Sequence, residues 1–194
     1  MIRPGREIEL KFLLEPTEVP ALLAAMPPGE SVVKAMTAIY YDTDDGRLRR
    51  LGFGLRVRRT GEVRIQTLKS VLGADGGRDD WEWPVASDAA DPALLTDTPA
   101  ALPADLILEP QFAVTVRRTV RIVEIPGARI EIALDDGEVL AGGRREPFLE
   151  LELELLSGPA SALGRLATRL QAQVGLTPST VTKAERGFRL LGMT

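Results

Sequence analysis

The chain has 194 residues, 44% of them hydrophobic and 27% charged, with a net charge of −4. That is enough apolar mass for one domain with its own core, and too little positive charge for a general attraction to nucleic acid or anionic membranes. Cysteine and histidine are absent, which excludes disulfides, thiolate and imidazole metal ligands and histidine-based triads, and leaves chemistry to carboxylates, Lys, Arg, Tyr or a hard cation held by oxygen.

The opening stretch 1–12 is too charged for a signal peptide, and no run of about 18 apolar residues exists to span a bilayer; the expectation is a cytoplasmic protein with neither a membrane nor a nucleic acid as partner. Residues 6–14 alternate charged and apolar with the period of a strand. Val19, Leu22, Leu23 and Met26 recur at helical spacing between Pro16 and Pro27, which predicts a short helix over 16–26. Residues 31–41, rich in β-branched and aromatic side chains, predict a second strand, and the polar segment 42–52 with Gly46 predicts a turn holding a short helical piece. Between Phe53 and Lys69 two strands face each other across Thr60 and Gly61. Gly73 to Gly77 reads as a loop, strand character returns over 81–85, and the Pro- and Asp-containing stretch 86–105 predicts a helical turn or two. Strands follow over 112–125 and 129–134 around a Pro126–Gly127 turn. Asp136–Gly137 predicts the next hairpin turn, with a short strand over 138–141, and 148–156 is the most regular strand of the chain. Gly158 and Pro159 open a helix over about 160–174 with Leu163, Leu166 and Leu170 on one face, and a last short helix ends near Leu191. Many antiparallel strands with few helices predict an α+β domain around a closed or nearly closed sheet.

The charges on these strands follow a pattern. Period two sends Glu7, Glu9 and Lys11 to one face and Ile8 and Leu10 to the other. Glu150, Glu152 and Glu154 share a face against Leu151 and Leu153, and Glu131 and Asp135, with Ala133 between them, oppose Ile130, Ile132 and Leu134. A single amphipathic strand ordinarily points its charges to water. Acids in uninterrupted sets on three strands are harder to place there, because same-face neighbours only about 7 Å apart repel, whereas Mg²⁺ or Mn²⁺ takes such oxygen ligands. If these faces look inward, the apolar faces point outward and need a cover, for which the leucine face of 160–174 is available. A basic set accompanies them. Arg56 and Arg58 alternate with Leu55 and Val57, Lys11 shares the face of Glu7 and Glu9, and Lys69 ends the next strand, its direction left open by Val63 and Ile65. Guanidinium forks suit phosphate oxygens, and a metal bridges carboxylate to phosphate.

EIELKF at Glu7 to Phe12 has the ExExK form and resembles the opening of the CYTH family, also called triphosphate tunnel metalloenzymes. YYDTDDGRLRRLGFGLRVRR (Tyr40 to Arg59), QTLK (Gln66 to Lys69), IEIALDDGEVLAG (Ile130 to Gly142), EPFLELELELLSG (Glu146 to Gly158) and TKAERGFRL (Thr182 to Leu190) resemble further blocks of that family, in its order, across nearly the whole chain. The wording is most similar to bacterial inorganic triphosphatases whose CYTH unit precedes a helical CHAD domain. Residues 1–194 are therefore expected to form a single CYTH domain, alone or as the front unit of such a fusion, and to be monomeric. The resemblance implies a closed eight-stranded antiparallel β-barrel with helices packed outside. It implies Mg²⁺ or Mn²⁺ held by Glu7, Glu9, Glu152 and Glu154, with Glu131, Asp135 and Glu150 as further ligand candidates. Phosphate contacts would come from Lys11, Arg56, Arg58, Lys69, Arg118, Lys183 and Arg186, and catalysis would rest on Glu7, Glu9, Lys11 and Lys69. The implied reaction is hydrolysis of inorganic triphosphate or short polyphosphate to pyrophosphate and phosphate. Two alternatives stand beside it: chemistry on an organic triphosphate (thiamine triphosphate, a nucleotide, or cyclase action), for which Tyr40 and Tyr41 offer a stacking surface, and a module that holds polyphosphate without cutting it. The paired ExE sets favour metal chemistry over anion capture, since a pure binder gains from fewer carboxylates. The family often has a basic residue two positions before the acid that matches Glu82; here Asp80 stands there, with Arg78 of the same parity as a substitute.

Overall fold

The computed structural model describes residues 5–70 and 77–193, with side chains from Ile8 onward and, after the gap, from Asp79. Strand β1 (Gly5–Leu13) is followed by a 3-10 turn (Pro16–Glu18), helix α1 (Val19–Ala25), strand β2 (Ser31–Asp42), the four-residue helix α2 (Arg47–Arg50), and the hairpin of β3 (Phe53–Thr60) and β4 (Val63–Ser70). Strand β5 (Gly77–Pro84) leads through a long connection with a second 3-10 turn (Pro92–Leu95) to the strands β6 (Glu109–Ile125), β7 (Ala128–Ala141) and β8 (Arg144–Ser157). Helix α3 (Ala160–Gln171), the two-residue strand β9 (Thr177–Pro178) and helix α4 (Lys183–Leu190) complete the chain.

The predicted turn at Asp136–Gly137 is not formed; β7 runs straight through it, with Gly137 opposite Val116 on β6 and Phe148 on β8. A Cβ on Gly137 would collide with the Thr115 carbonyl and the Phe148 ring, so this glycine serves close packing within the sheet. The reversal falls instead at Gly142 and Gly143, whose φ of 55° and 74° are open to glycine and costly for other residues. Of the predicted loop at Gly73 to Gly77, residues 73–76 lie outside the described residues and Gly77 begins β5.

The expected closed eight-stranded barrel is also corrected. The strands form one nine-stranded sheet in the order β5-β4-β3-β2-β6-β7-β8-β1-β9. Strand β1 divides its pairing along its length: Gly5 to Ile8 face β5, whereas Glu9 to Leu13 face β8, with β9 joined beside Phe12 and Leu13. Among the described residues, no level of β1 is hydrogen-bonded to β5 and β8 together, so the ladder does not close into a barrel.

The sheet is polar on its concave face and apolar on its convex face, and the hydrocarbon outside is covered in two places. Leu163, Leu166 and Leu170 of α3, with Leu22 of α1, bury Phe12, Ile130, Ile132, Leu151 and Leu153. On the other flank Leu95 and Leu102 of the long connection bury Leu55, Val57, Leu68 and Trp81. A third cluster lies inside the curve, at the end closed by α4, where Phe188 meets Phe112, Tyr40, Val139 and Phe148. Each such large side chain contributes about 1.5–3 kcal/mol on burial.

A charged cavity as the candidate functional site

Strand alternation places one set of side chains on the concave face, and these line a cavity of about 1260 Å³ bounded by strands β1 to β8 and by α4. Its acidic wall begins at a cross-strand row. Glu9 on β1 is directly opposite Glu154 on β8, which is directly opposite Glu131 on β7. Directly opposed Cβ atoms are about 5 Å apart, and like charges there are destabilising unless a cation lies between them. All three line the cavity, as does Glu152. Glu7 occupies the same strand two residues before Glu9, but its side chain lies outside those described.

Below this row is a second group of acids. Asp135, Glu150 and Glu152 bring carboxylate oxygens within 4.8 Å of one another, a hard-oxygen cluster compatible with a divalent cation. The Lys183 ammonium sits in its centre, 2.8 Å from Asp135, 3.0 Å from Glu150 and 2.8 Å from Glu152. Arg118 donates a fork to Asp135 at 2.6 and 2.7 Å and also donates to Glu152. Arg186 donates to Glu150 and Glu146, and Lys11 lies 3.5 Å from Glu152. Burial of Glu152 opposes its ionisation, yet Lys183, Arg118 and Lys11 outweigh it and hold the carboxyl well below the usual range. Burial likewise works against the charge on Lys183, but Glu152, Asp135 and Glu150 prevail and raise its pKa. Burial also works against the Arg118 charge, and Glu152 and Asp135 again prevail. Lys183 reaches this position because α4 starts with a capping box: Thr182 accepts the Glu185 N–H and Glu185 accepts the Thr182 N–H, which fixes the first helical turn.

The facing wall is basic. Arg56 and Arg58 of β3, Lys69 of β4 and Lys34 of β2 line it, which settles the direction of Lys69: Val63 and Ile65 break the sequence alternation because they too face the cavity. Here positive charge is in excess. Arg56 first, then burial, push the Arg58 guanidinium down to about 10, with Glu82 at 3.8 Å offsetting only part of this. Asp80, which stands where a basic residue was expected, lies 4.0 Å from Lys69, and the side chain of its suggested substitute Arg78 lies outside those described.

Glu9, Lys11, Arg56, Arg58, Lys69 and Arg118 therefore border the cavity, as do Glu131, Glu152, Glu154 and Lys183. Asp135, Glu150 and Arg186 are buried beneath it. Lys34, Glu146 and Arg49 were not singled out from sequence. Lys34 had a signal, the even parity it shares with Met36 on β2, whereas Arg49 belongs to a turn with no period to read. Glu146 pairs with Arg186 at 2.9 Å and Arg189 at 2.6 Å and tethers α4.

An inorganic triphosphatase of Haemophilus influenzae is 30% identical over 199 residues, covering 95% of this chain and 55% of that protein, so the chain spans about half the length of this curated relative. A protein of Hippeastrum, described as an adenylyl cyclase candidate that reveals a dominant triphosphatase activity, superposes with a TM-score of 0.64 at 19% identity over 97% of each chain. A protein of Pyrococcus horikoshii also gives 0.64 at 19% identity, over 97% of this chain and 99% of its own. These structural likenesses establish the fold. Among the described residues no helix is long and apolar enough to cross a membrane. Residues 5–188 match the family model described as the CYTH domain, and the chain belongs to that family.

Proposed function

We propose that the chain hydrolyses a terminal phosphoanhydride of inorganic triphosphate or short-chain polyphosphate, with Mg²⁺ or Mn²⁺ as cofactor. The observation that carries this reading is the division of one cavity into an acidic and a basic wall, the basic one so rich in cations that Arg58 is held at about 10. A metal-complexed polyanion is complementary in charge to both walls. The activity described for the Hippeastrum protein and the name of the Haemophilus relative lend support, and the latter favours the bacterial inorganic triphosphatases within the family.

The donor set fits a hard divalent cation, because every candidate is a carboxylate oxygen. Glu9, Glu131 and Glu154 would hold it, with Glu152 at the border and Glu7 added by its place on β1. When bound, such an ion neutralises phosphate charge and lowers the pKa of a coordinated water. Arg56 and Arg58 grip non-bridging oxygens from the basic wall, and Lys69 and Lys11, on facing walls, stabilise the charge that develops on the leaving phosphate. Arg118 and Lys183 each have one side toward the cavity. Asp135, Glu150 and Arg186 keep them in place, so the buried acids orient cations in preference to binding metal while Lys183 remains seated.

The test is phosphate release from triphosphate, pyrophosphate, ATP and long polyphosphate, with Mg²⁺ and with EDTA, by wild type and by Glu9→Gln plus Glu154→Gln. The expected outcome is Mg²⁺-dependent release from triphosphate by wild type and a loss of at least a hundredfold in the variant, with the fold intact by circular dichroism. Tight retention of polyphosphate without release by wild type would make the chain a binding module. Preference for ATP would make it an organic-triphosphate enzyme.

A further inference from the structure

The proposed roles leave Arg49 unused. It stands on α2 and lines the cavity together with Gly52, Phe53 and Gly54, beside the start of β3. Its Nε is buried and has no hydrogen-bond partner, and among the described residues no carboxylate pairs with its guanidinium, in contrast to Arg58, Arg118 and Arg189. The guanidinium carbon lies 5.4 Å from the centre of the Phe188 ring, which supports one face. The backbone beneath is held firmly. The buried Asp42 carboxylate accepts the N–H groups of Thr43 and Leu48 at 2.8 Å and that of Arg49 at 3.1 Å, and Thr43 Oγ1 accepts the Arg47 N–H at 2.8 Å. A half-buried guanidinium on a rigid support, without an anion, is costly unless an anion arrives to meet it.

The length of the cavity says which anion. It follows β3 from Phe53 to Thr60, and eight residues of strand extend about 25 Å. A chain of three phosphates seated between the acidic row and Arg58 fills only part of that distance. We propose that Arg49 is a separate station for phosphate groups beyond the third, so that the cavity accepts linear polyphosphate of four or more units and Arg49 sets the preference for the longer chain. Asp42 acts as its positioning residue. This rests on the reading of the cavity as a phosphate-chain site and extends it to chain length.

The experiment is equilibrium binding of linear triphosphate and tetraphosphate, measured in the cold in EDTA and in Mg²⁺, for wild type, Arg49→Gln, Arg49→Lys and Arg50→Gln. Arg50 is an exposed neighbour that pairs with Asp45. Wild type is expected to bind tetraphosphate about tenfold more tightly than triphosphate, as one charged hydrogen-bonding contact provides. Arg49→Gln should bring the two within about twofold while leaving triphosphate binding near wild type, Arg49→Lys should keep part of the preference, and Arg50→Gln should keep all of it. A ratio between two ligands is insensitive to a general loss of stability. Equal binding of both chains by wild type, or a preference that survives Arg49→Gln, overturns the role of Arg49 and leaves the proposed function standing. Failure of wild type to bind either chain in both conditions overturns the two together.

Discussion

Replacing Arg58 by Gln should make the ligand-free protein more stable and the protein less able to hold its ligand. Arg58 is held at about 10, more than two units below the ordinary guanidinium range, chiefly by Arg56 and then by burial. Each tenfold loss of proton affinity is worth about 1.4 kcal/mol, so the charged form carries about 3 kcal/mol of unrelieved cost at neutral pH. The side chain is 27% exposed, and screening by solvent brings this to about 2 kcal/mol. Loss of the aliphatic stem returns some of the gain. For a domain of this size about 1 kcal/mol moves Tm by 2–4 °C, so Arg58→Gln should raise the ligand-free Tm by about 3–6 °C. Triphosphate with Mg²⁺ at about a hundred times Kd stabilises wild type by about 2.7 kcal/mol, and loss of one charged contact should weaken binding about tenfold and roughly halve that increment. Differential scanning fluorimetry with and without triphosphate and Mg²⁺ reads both effects, and added salt should shrink the difference in ligand-free Tm by screening the Arg56 charge. A ligand-free Tm several degrees below wild type, with the triphosphate increment undiminished, would refute the claim that the basic wall stores repulsion for an anion to relieve.

Three further outcomes follow from other parts of the molecule. Lys183→Met leaves Asp135 and Glu150, both fully buried, without the Lys183 ammonium; breaking a buried pair costs about 3–5 kcal/mol, and Tm should fall by about 6–20 °C, with a recovery in millimolar Ca²⁺ or Mg²⁺ larger than the shift the same ions give wild type. An unchanged Tm would remove Lys183 from the centre of that cluster. Tyr41 donates to the Asp88 carbonyl at 2.7 Å, and burial first, then Asp88, raise its pKa above 10.0. Its neutral form is favoured by folding, so its contribution is complete below pH 10, where the unfolded side chain also stays protonated, and is lost as pH climbs through the folded value. Tyr41→Phe should flatten the fall in urea midpoint above pH 10, and parallel curves for the two proteins would count against this. Gly187→Ala would drive a methyl group into the Phe112 ring, which is already stacked on Tyr40 at 4.6 Å and edge-on to Phe188 at 5.1 Å. Overpacking of this kind costs about 1–3 kcal/mol and should lift α4, lowering Tm and triphosphate binding together; loss of one without the other would separate the helix from the site.

The strands that carry the acids were legible because Glu alternates with Ile or Leu without a break over Glu7 to Lys11 and Glu150 to Glu154, and period two fixes the face. The covering role of 160–174 followed from the same logic, since an apolar convex face needs leucines above it. Elsewhere local signals competed. Asp-Gly at 136–137 has the chemistry of a hairpin turn, but the space between Thr115 and Phe148 demanded a residue without a side chain in mid-strand. Thr177 and Pro178 are too few to show any period, and β9 exists only because Phe12 and Leu13 offer it an edge. The neutralisation of Asp135, Glu150 and Glu152 by Lys183 joins two strands to a later helix, a relation that no spacing encodes. Arg49 was hidden for a similar reason, as the direction of a side chain on a four-residue helix is set by Asp42 and not by a repeat.

The divided pairing of β1 bears on how the protein comes into being. Its first half waits for β5 and its second for β8, so Glu9 does not meet Glu154 until 145 further residues have been synthesised (154 − 9). Contacts so distant along the chain form late and slowly. A nascent polypeptide that has not reached β8 thus carries neither the acidic row nor the Lys11–Glu152 pair, and the acidic wall is assembled only once that strand has emerged.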